Sequence, residues 1–246
     1  MKKYRWQISL GIILIVLSAI VYLIHYVIFR DFHHIFIYLT GDIAFVFIEV
    51  LMVTLVIHSL LNMREKRERL EKLNMLIGVF FSEVGTRLLV LFSDSDPNLD
   101  KIKQNLIITS DWSNKEFEQM NNQLRNYEYN VNIDMINLKD LRDFFMRKSD
   151  FLVRLLENPN LFEHESFTEV LRAVFHIVEE LEHRKNIKQL SKNDRNHIAG
   201  DIKRAYNLLA FEWLSYMKYL KGNYPYLFSL TMRLNPFDEN ATAEIK

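Results

Sequence analysis

Asp42 and Glu49 lie seven residues apart in the apolar stretch 35–61. Seven residues is about two helical turns, so both carboxylates share one stripe of one helix. A carboxylate facing hydrocarbon at membrane depth costs at least roughly 2.5–3.5 kcal/mol, so it turns to a partner, a cavity or a pore. Stacked around an axis, such groups form acidic rings that select cations, because a low-dielectric surround screens their field poorly. His25, on the preceding apolar stretch, reads as level with Asp42 and is its expected partner. Glu49, counted to the middle of the span, has no partner within the chain, and this predicts a homo-oligomer around it. The competing reading makes both acids neutral or hydrogen-bonded glue between helices.

A second constellation is His176-Ile-Val-Glu-Glu-Leu-Glu-His183. His176, Glu179, Glu180 and His183 recur at i, i+3, i+4 and i+7, so they can share a helical face. Glu180-x-x-His183 has the spacing with which helical bundles present metal ligands. Asp194-x-x-His197 opens the next helix, with Asp201 one turn further, and would lie across a hairpin from it. The candidate set for a divalent metal ion is therefore His176, Glu180, His183 and His197. His164 sits between Glu163 and Glu165 just before that helix, and Glu157 and Glu212 are the acids left to complete a two-metal site. The alternation of acids and bases also fits a solvent-facing helix end. Glycine-rich phosphate loops, HExxH and GxSxG are missing from the 246 residues, and the expectation is a protein that is not an enzyme.

The elements that would carry these residues are helices. Only 6 Gly and 4 Pro occur in 246 residues, which argues for an all-α chain with short loops. Zero cysteine excludes disulfides, thiolate zinc sites and iron–sulfur clusters within it. The 31 Lys+Arg balance 31 Asp+Glu, so there is no basic field to attract nucleic acid.

Residues 7–29 are apolar for the roughly 20 residues that a spanning helix needs. The run is long for a signal-peptide core, and a second span follows at once, so it reads as an anchor that is retained. Arg30-Asp31-Phe32-His33-His34 joins it to the second span in a tight antiparallel hairpin. Lys2, Lys3 and Arg5 precede the first span, and Arg64, Lys66, Arg67, Arg69 and Lys72 follow the second. Positive charge on both outer flanks places both termini in the cytoplasm. Tyr4 and Trp6 suit the inner membrane interface, and Tyr26, Phe32 and Tyr38 the outer one. Thr40-Gly41 reads either as a helix irregularity capped by Thr40 or as a close-approach site at Gly41.

The second span runs on into the cytosol, coupling the soluble part to the Asp42/Glu49 stripe. There Leu70, Leu73, Ile77, Phe80 and Val84 form a seam with 3-4 spacing, and Gly78, Ser82 and Gly85 form a strip of small residues. A short helix is expected over 97–108, and Ser113 with Glu116 begins another that reaches about Tyr129. Further helices begin at Asn137, Ser166 and Asp194, and a last one covers Tyr226–Leu234. The aromatic run Trp213, Tyr216, Tyr219, Tyr224 and Tyr226 reads as packing. The expected organisation is a transmembrane hairpin over 1–61, with spans at about 7–29 and 35–61. A connecting helix over 62–93, a cytoplasmic helical bundle over 94–235 and a disordered tail over 236–246 complete it.

The segments TGDIAFVFIEVLMVTLVIHSLL and REKR, then FFSEVGT, ENPNLFEHESFTEVL, YPYLFSLTMR and NPFD, carry a resemblance. From about residue 35 to the end, the chain is similar to an uncharacterised family of prokaryotic two-span membrane proteins. The resemblance implies an integral membrane protein with a helical cytoplasmic domain, and it implies no activity, cofactor or catalytic residue. The function expected first is a homo-oligomeric, cation-conducting channel of the cell membrane, with the second span lining the pore and the bundle as gate or assembly domain. Its partners are copies of itself, the lipid bilayer and an inorganic cation, with no nucleic acid. The alternative is a membrane-anchored helical scaffold or sensor that binds a cytoplasmic protein.

Overall fold

A computed structural model describes residues 2–159, 161 and 164–244, and the side chains of residues 2–5 and 7 lie outside that description. The flanking charges Lys2, Lys3 and Arg5, the interfacial Tyr4, and Glu163 beside His164 therefore lie outside it too. Among the described residues the structure is all-helical, as expected, with no strand. Helices α1 (Lys2–Phe29) and α2 (Phe32–Phe80) come first. A π-helical turn, Phe81–Gly85, leads into α3 (Thr86–Asp94). After two 3-10 turns come α4 (Asn114–Asn126), α5 (Leu138–Leu156), α6 (Glu165–Glu182), α7 (Lys192–Asn223) and α8 (Pro225–Arg233). The chain divides into two compact units, Met1–Arg67 and Glu68–Lys246.

In the first unit the connection is shorter than the sequence suggests. Arg30 takes a left-handed backbone, with φ of 48°, and its N–H closes on the Tyr26 carbonyl at 2.8 Å. Asp31 then caps α2, its Oδ1 accepting from the N–H groups of His33 at 2.9 Å and His34 at 3.2 Å. A helix stop and a helix start are thus packed into two residues. Both helices are long and apolar enough to cross a membrane. Between residues 8 and 67 none of the described residues is buried. The expected irregularity at Thr40 is missing: α2 runs through it, and the Thr40 hydroxyl donates back to the Phe36 carbonyl at 2.8 Å. Nothing in the chain approaches Gly41 within 4 Å.

The second unit holds the core. Leu73, Ile77, Phe80 and Val84 are fully buried, so the expected seam forms, although Leu70 at its start is exposed. α7 is central, burying Ile202, Tyr206, Leu209, Trp213 and Met217 along one stripe, with α3, α4, α6 and α8 against it. The capping box of Ser113 and Glu116 starts α4, and Asn137 caps α5 by accepting from the N–H groups of Lys139 and Asp140. Two starts differ from expectation. His164 caps α6 through its Nδ1, because the Ser166 hydroxyl is drawn to Glu212 instead. Ser191 caps α7 three residues before Asp194, whose carboxylate accepts back from the Ser191 hydroxyl at 2.7 Å.

Of the tail expected to be disordered over 236–246, the described residues 236–244 fold back on the bundle, and 245–246 lie outside the description. Phe237 is buried with its ring 5.2 Å from that of Trp213, and Asn235 donates to the Leu106 carbonyl at 2.8 Å. Thr242 N–H reaches the Arg233 carbonyl at 3.0 Å. One aromatic side chain that fills a gap beside a buried tryptophan outweighs a polar composition that reads as unstructured.

Candidate functional site

Asp42 and Glu49 lie on α2 among exposed apolar side chains that include Phe45, Val46, Ile48 and Val53. Among the described residues neither carboxylate has a hydrogen-bond or ion-pair partner. The expected contact between His25 and Asp42 does not form. His25 stacks on His34 at 5.9 Å and packs on Phe29 at 4.8 Å. His25 stands one turn before the end of α1 and meets the first turn of α2, whereas Asp42 lies ten residues, about 15 Å, along α2 from its start. Asp42 is therefore as isolated within its unit as Glu49.

The histidine and carboxylate residues of the second unit do assemble, in a set that differs by one member from the expected one. α6 and α7 run antiparallel, a register fixed by Ser166 meeting Glu212, His176 meeting Asp201, and Glu180 meeting His197. His176 and Glu180 are four residues apart on α6, and His197 and Asp201 are four apart on α7, so each pair presents side chains from one face. His176 Nε2 stands 3.5 Å from Asp201 Oδ2 and 3.9 Å from Glu180 Oε1. His197 Nε2 stands 3.4 Å from Asp201 Oδ2 and 3.5 Å from Glu180 Oε2. The ligand-type atoms of His176, His197 and Asp201 all lie within 4.8 Å of one another.

His183 is a correction. It occupies the C-terminal cap of α6, exposed, with its Nδ1 2.8 Å from the Glu179 carbonyl of its own helix. A residue at i+7 from His176 has passed the end of α6 and turned away, and Asp201 takes its place. The sequence carried a signal for this: the His-x-x-x-Glu of α6 is answered by a His-x-x-x-Asp on α7. Arginines hold both acids. Arg184 pairs with Glu180, and Arg204 donates to Asp201 Oδ1 at 3.0 Å. The bond from Arg184 holds the Glu180 carboxyl below the usual carboxylate range, with the Arg184 charge and the two imidazoles adding to the effect.

Glu212, one of the two acids that could have completed a two-metal site, stands at a separate polar station of the same helix pair. It is buried and accepts from the Ser166 hydroxyl at 2.8 Å, with His164 Nδ1 at 3.9 Å. Burial pushes its carboxyl up, partly offset by Ser166 and His164.

Fold and sites together define a class: an all-helical protein that joins an apolar helix pair bearing unpartnered acids to a bundle with a histidine–carboxylate cluster. The chain belongs to the family of the uncharacterized protein MJ1433. Residues 2–61 match the family described as MJ1433, N-terminal helical domain, and residues 69–233 the one described as Uncharacterized protein MJ1433, C-terminal helical domain. Uncharacterized protein MJ1433 of Methanocaldococcus jannaschii is 45% identical over 241 residues, covering 98% of this chain and 97% of that protein. No solved structure matches the chain.

Proposed function

We propose that the protein is a two-pass protein of the cell membrane, with both termini cytoplasmic, whose copies assemble around α2. Asp42 and Glu49 then form stacked acidic rings along a cation pathway, and the helical bundle acts as gate or assembly domain. The observation that carries this reading is the pair of carboxylates without partners on a helix whose surroundings are apolar and unburied. Two helices cannot hide such groups from lipid on all sides, whereas a ring of copies turns them toward one axis. The basic residues after the apolar part of α2 set its cytoplasmic end.

Purified protein reconstituted in planar bilayers tests the proposal. The expected result is a cation-selective conductance whose selectivity weakens in Glu49→Gln and Asp42→Asn. Absence of conductance, or selectivity unchanged in both variants, overturns it. That outcome would leave the second reading, a membrane-anchored scaffold or sensor in which the two acids only hold helices together, with oligomers that persist in Glu49→Gln.

A further inference from the structure

We propose that His176, His197 and Asp201, with Glu180 beside them, form a binding site for one first-row divalent metal ion of zinc type, clasping α6 to α7. The inference concerns the bundle and does not depend on the membrane reading.

Three features of the cluster carry it. The first is spacing. Zinc bonds of about 2.0–2.1 Å in a tetrahedron put neighbouring donors about 3.4 Å apart. The four separations between imidazole and carboxylate atoms are 3.4, 3.5, 3.5 and 3.9 Å, with Glu180 facing His176 through Oε1 and His197 through Oε2. These are too long for good hydrogen bonds, which lie near 2.7–3.2 Å. The ligand-type atoms of His176, His197 and Asp201, all within 4.8 Å of one another, suit three donors around a common centre, with Glu180 at their side.

The second is the state of Asp201. Its side chain is 4% exposed, yet Oδ2 has no hydrogen-bond partner, although two imidazole nitrogens converge on it. A buried carboxylate oxygen without a donor is costly. His176 Nε2 at 3.5 Å and His197 Nε2 at 3.4 Å both face this oxygen, and an ion placed among the three atoms would satisfy it.

The third is the support around the cluster. Arg204 occupies Asp201 Oδ1 and leaves Oδ2 as the free donor, while Arg184 fixes the Glu180 carboxylate and reaches Asp194 at 3.6 Å. Outer partners of this kind orient ligands in metal sites. Two imidazoles and two carboxylates suit zinc or a neighbouring first-row ion. Calcium and magnesium prefer all-oxygen sets, and copper(I) prefers sulfur. His176 and His197 are 41% and 55% exposed, so an ion can enter from solvent.

The test uses the full chain in lipid nanodiscs, stripped with a chelator and titrated with Co2+ under visible absorption, then with Zn2+ as competitor. One Co2+ per chain is expected, with the strong ligand-field bands of a tetrahedral ion, displaced by Zn2+. His197→Ala and Asp201→Asn should each weaken binding at least about tenfold, and His183→Ala should leave it unchanged. Circular dichroism accompanies each variant. If the buried Asp201→Asn unfolds, the surface substitution His197→Ala decides. No saturable binding by the native protein overturns the inference, as does binding that persists undiminished in His197→Ala.

Discussion

Glu212 shows what a single buried acid does to this molecule. Its carboxyl is raised by burial. The unfolded chain ionises it near its ordinary value of 4.5, before the folded chain does. Stability from this group is therefore fully present below that value and is lost as pH rises toward the raised folded value. Glutamine keeps an oxygen to accept from Ser166 and removes the charge. Glu212→Gln is expected to melt close to the native protein at about pH 4 and above it at about pH 7. Thermal melts at the two pH values check this, and a variant that melts lower at about pH 7 contradicts it. Residue types were legible in the sequence; their neighbours were legible only in part. His176, Glu180 and His197 come together with Asp201 while His183 lies at the helix end, and His25 meets Phe29 and His34 rather than Asp42.

Among the elements, the π-helical turn at Phe81–Gly85 carries Phe81, Val84 and Gly85 into the core. A Cβ at Gly85 would lie 2.6 Å from Phe81 Cδ1 and 2.8 Å from Phe80 Cε1, and both rings are buried. Overpacking of this kind costs about 1–3 kcal/mol. The gain in helix propensity from glycine to alanine is at most about 1 kcal/mol. Gly85→Ala is therefore expected to lower the melting temperature. Gly200→Ala, in α7 with nothing within 4 Å of its Cβ, should leave stability unchanged or raise it by about 0.5–1 kcal/mol. Melting both by circular dichroism checks the contrast, and equal effects would refute it. Apolar periodicity and caps made the helices legible because both are local signals. The packing of the tail was not legible, because Phe237 is held by Trp213, a contact that no local pattern encodes.

At the scale of the whole molecule, two units differ in what satisfies them. The second buries its own core. The first leaves its apolar side chains exposed, unsatisfied by the chain's own packing, which is what the proposed assembly in lipid would cover. Oligomerisation around α2 would bring the Asp42/Glu49 stripe of each copy to a common axis. The chain has no cysteine, so single cysteines can report this without background. Val46→Cys and Val53→Cys lie on the stripe, at about 20–40° from Asp42, while Phe47→Cys and Leu51→Cys lie near the opposite side. Oxidation in membranes is expected to cross-link the first pair and spare the second. Equal cross-linking on both faces would remove α2 as the central helix. By itself the sequence determined the all-helical class, the two apolar helices, most helix starts and the family, because periodicity, capping and composition act between residues close in the chain. Only the tertiary structure decided that Asp42 stands without His25, that the tail packs, and that Asp201 joins His176, Glu180 and His197. Each of those outcomes depends on contacts between residues far apart in the chain, which packing sets and no local pattern encodes.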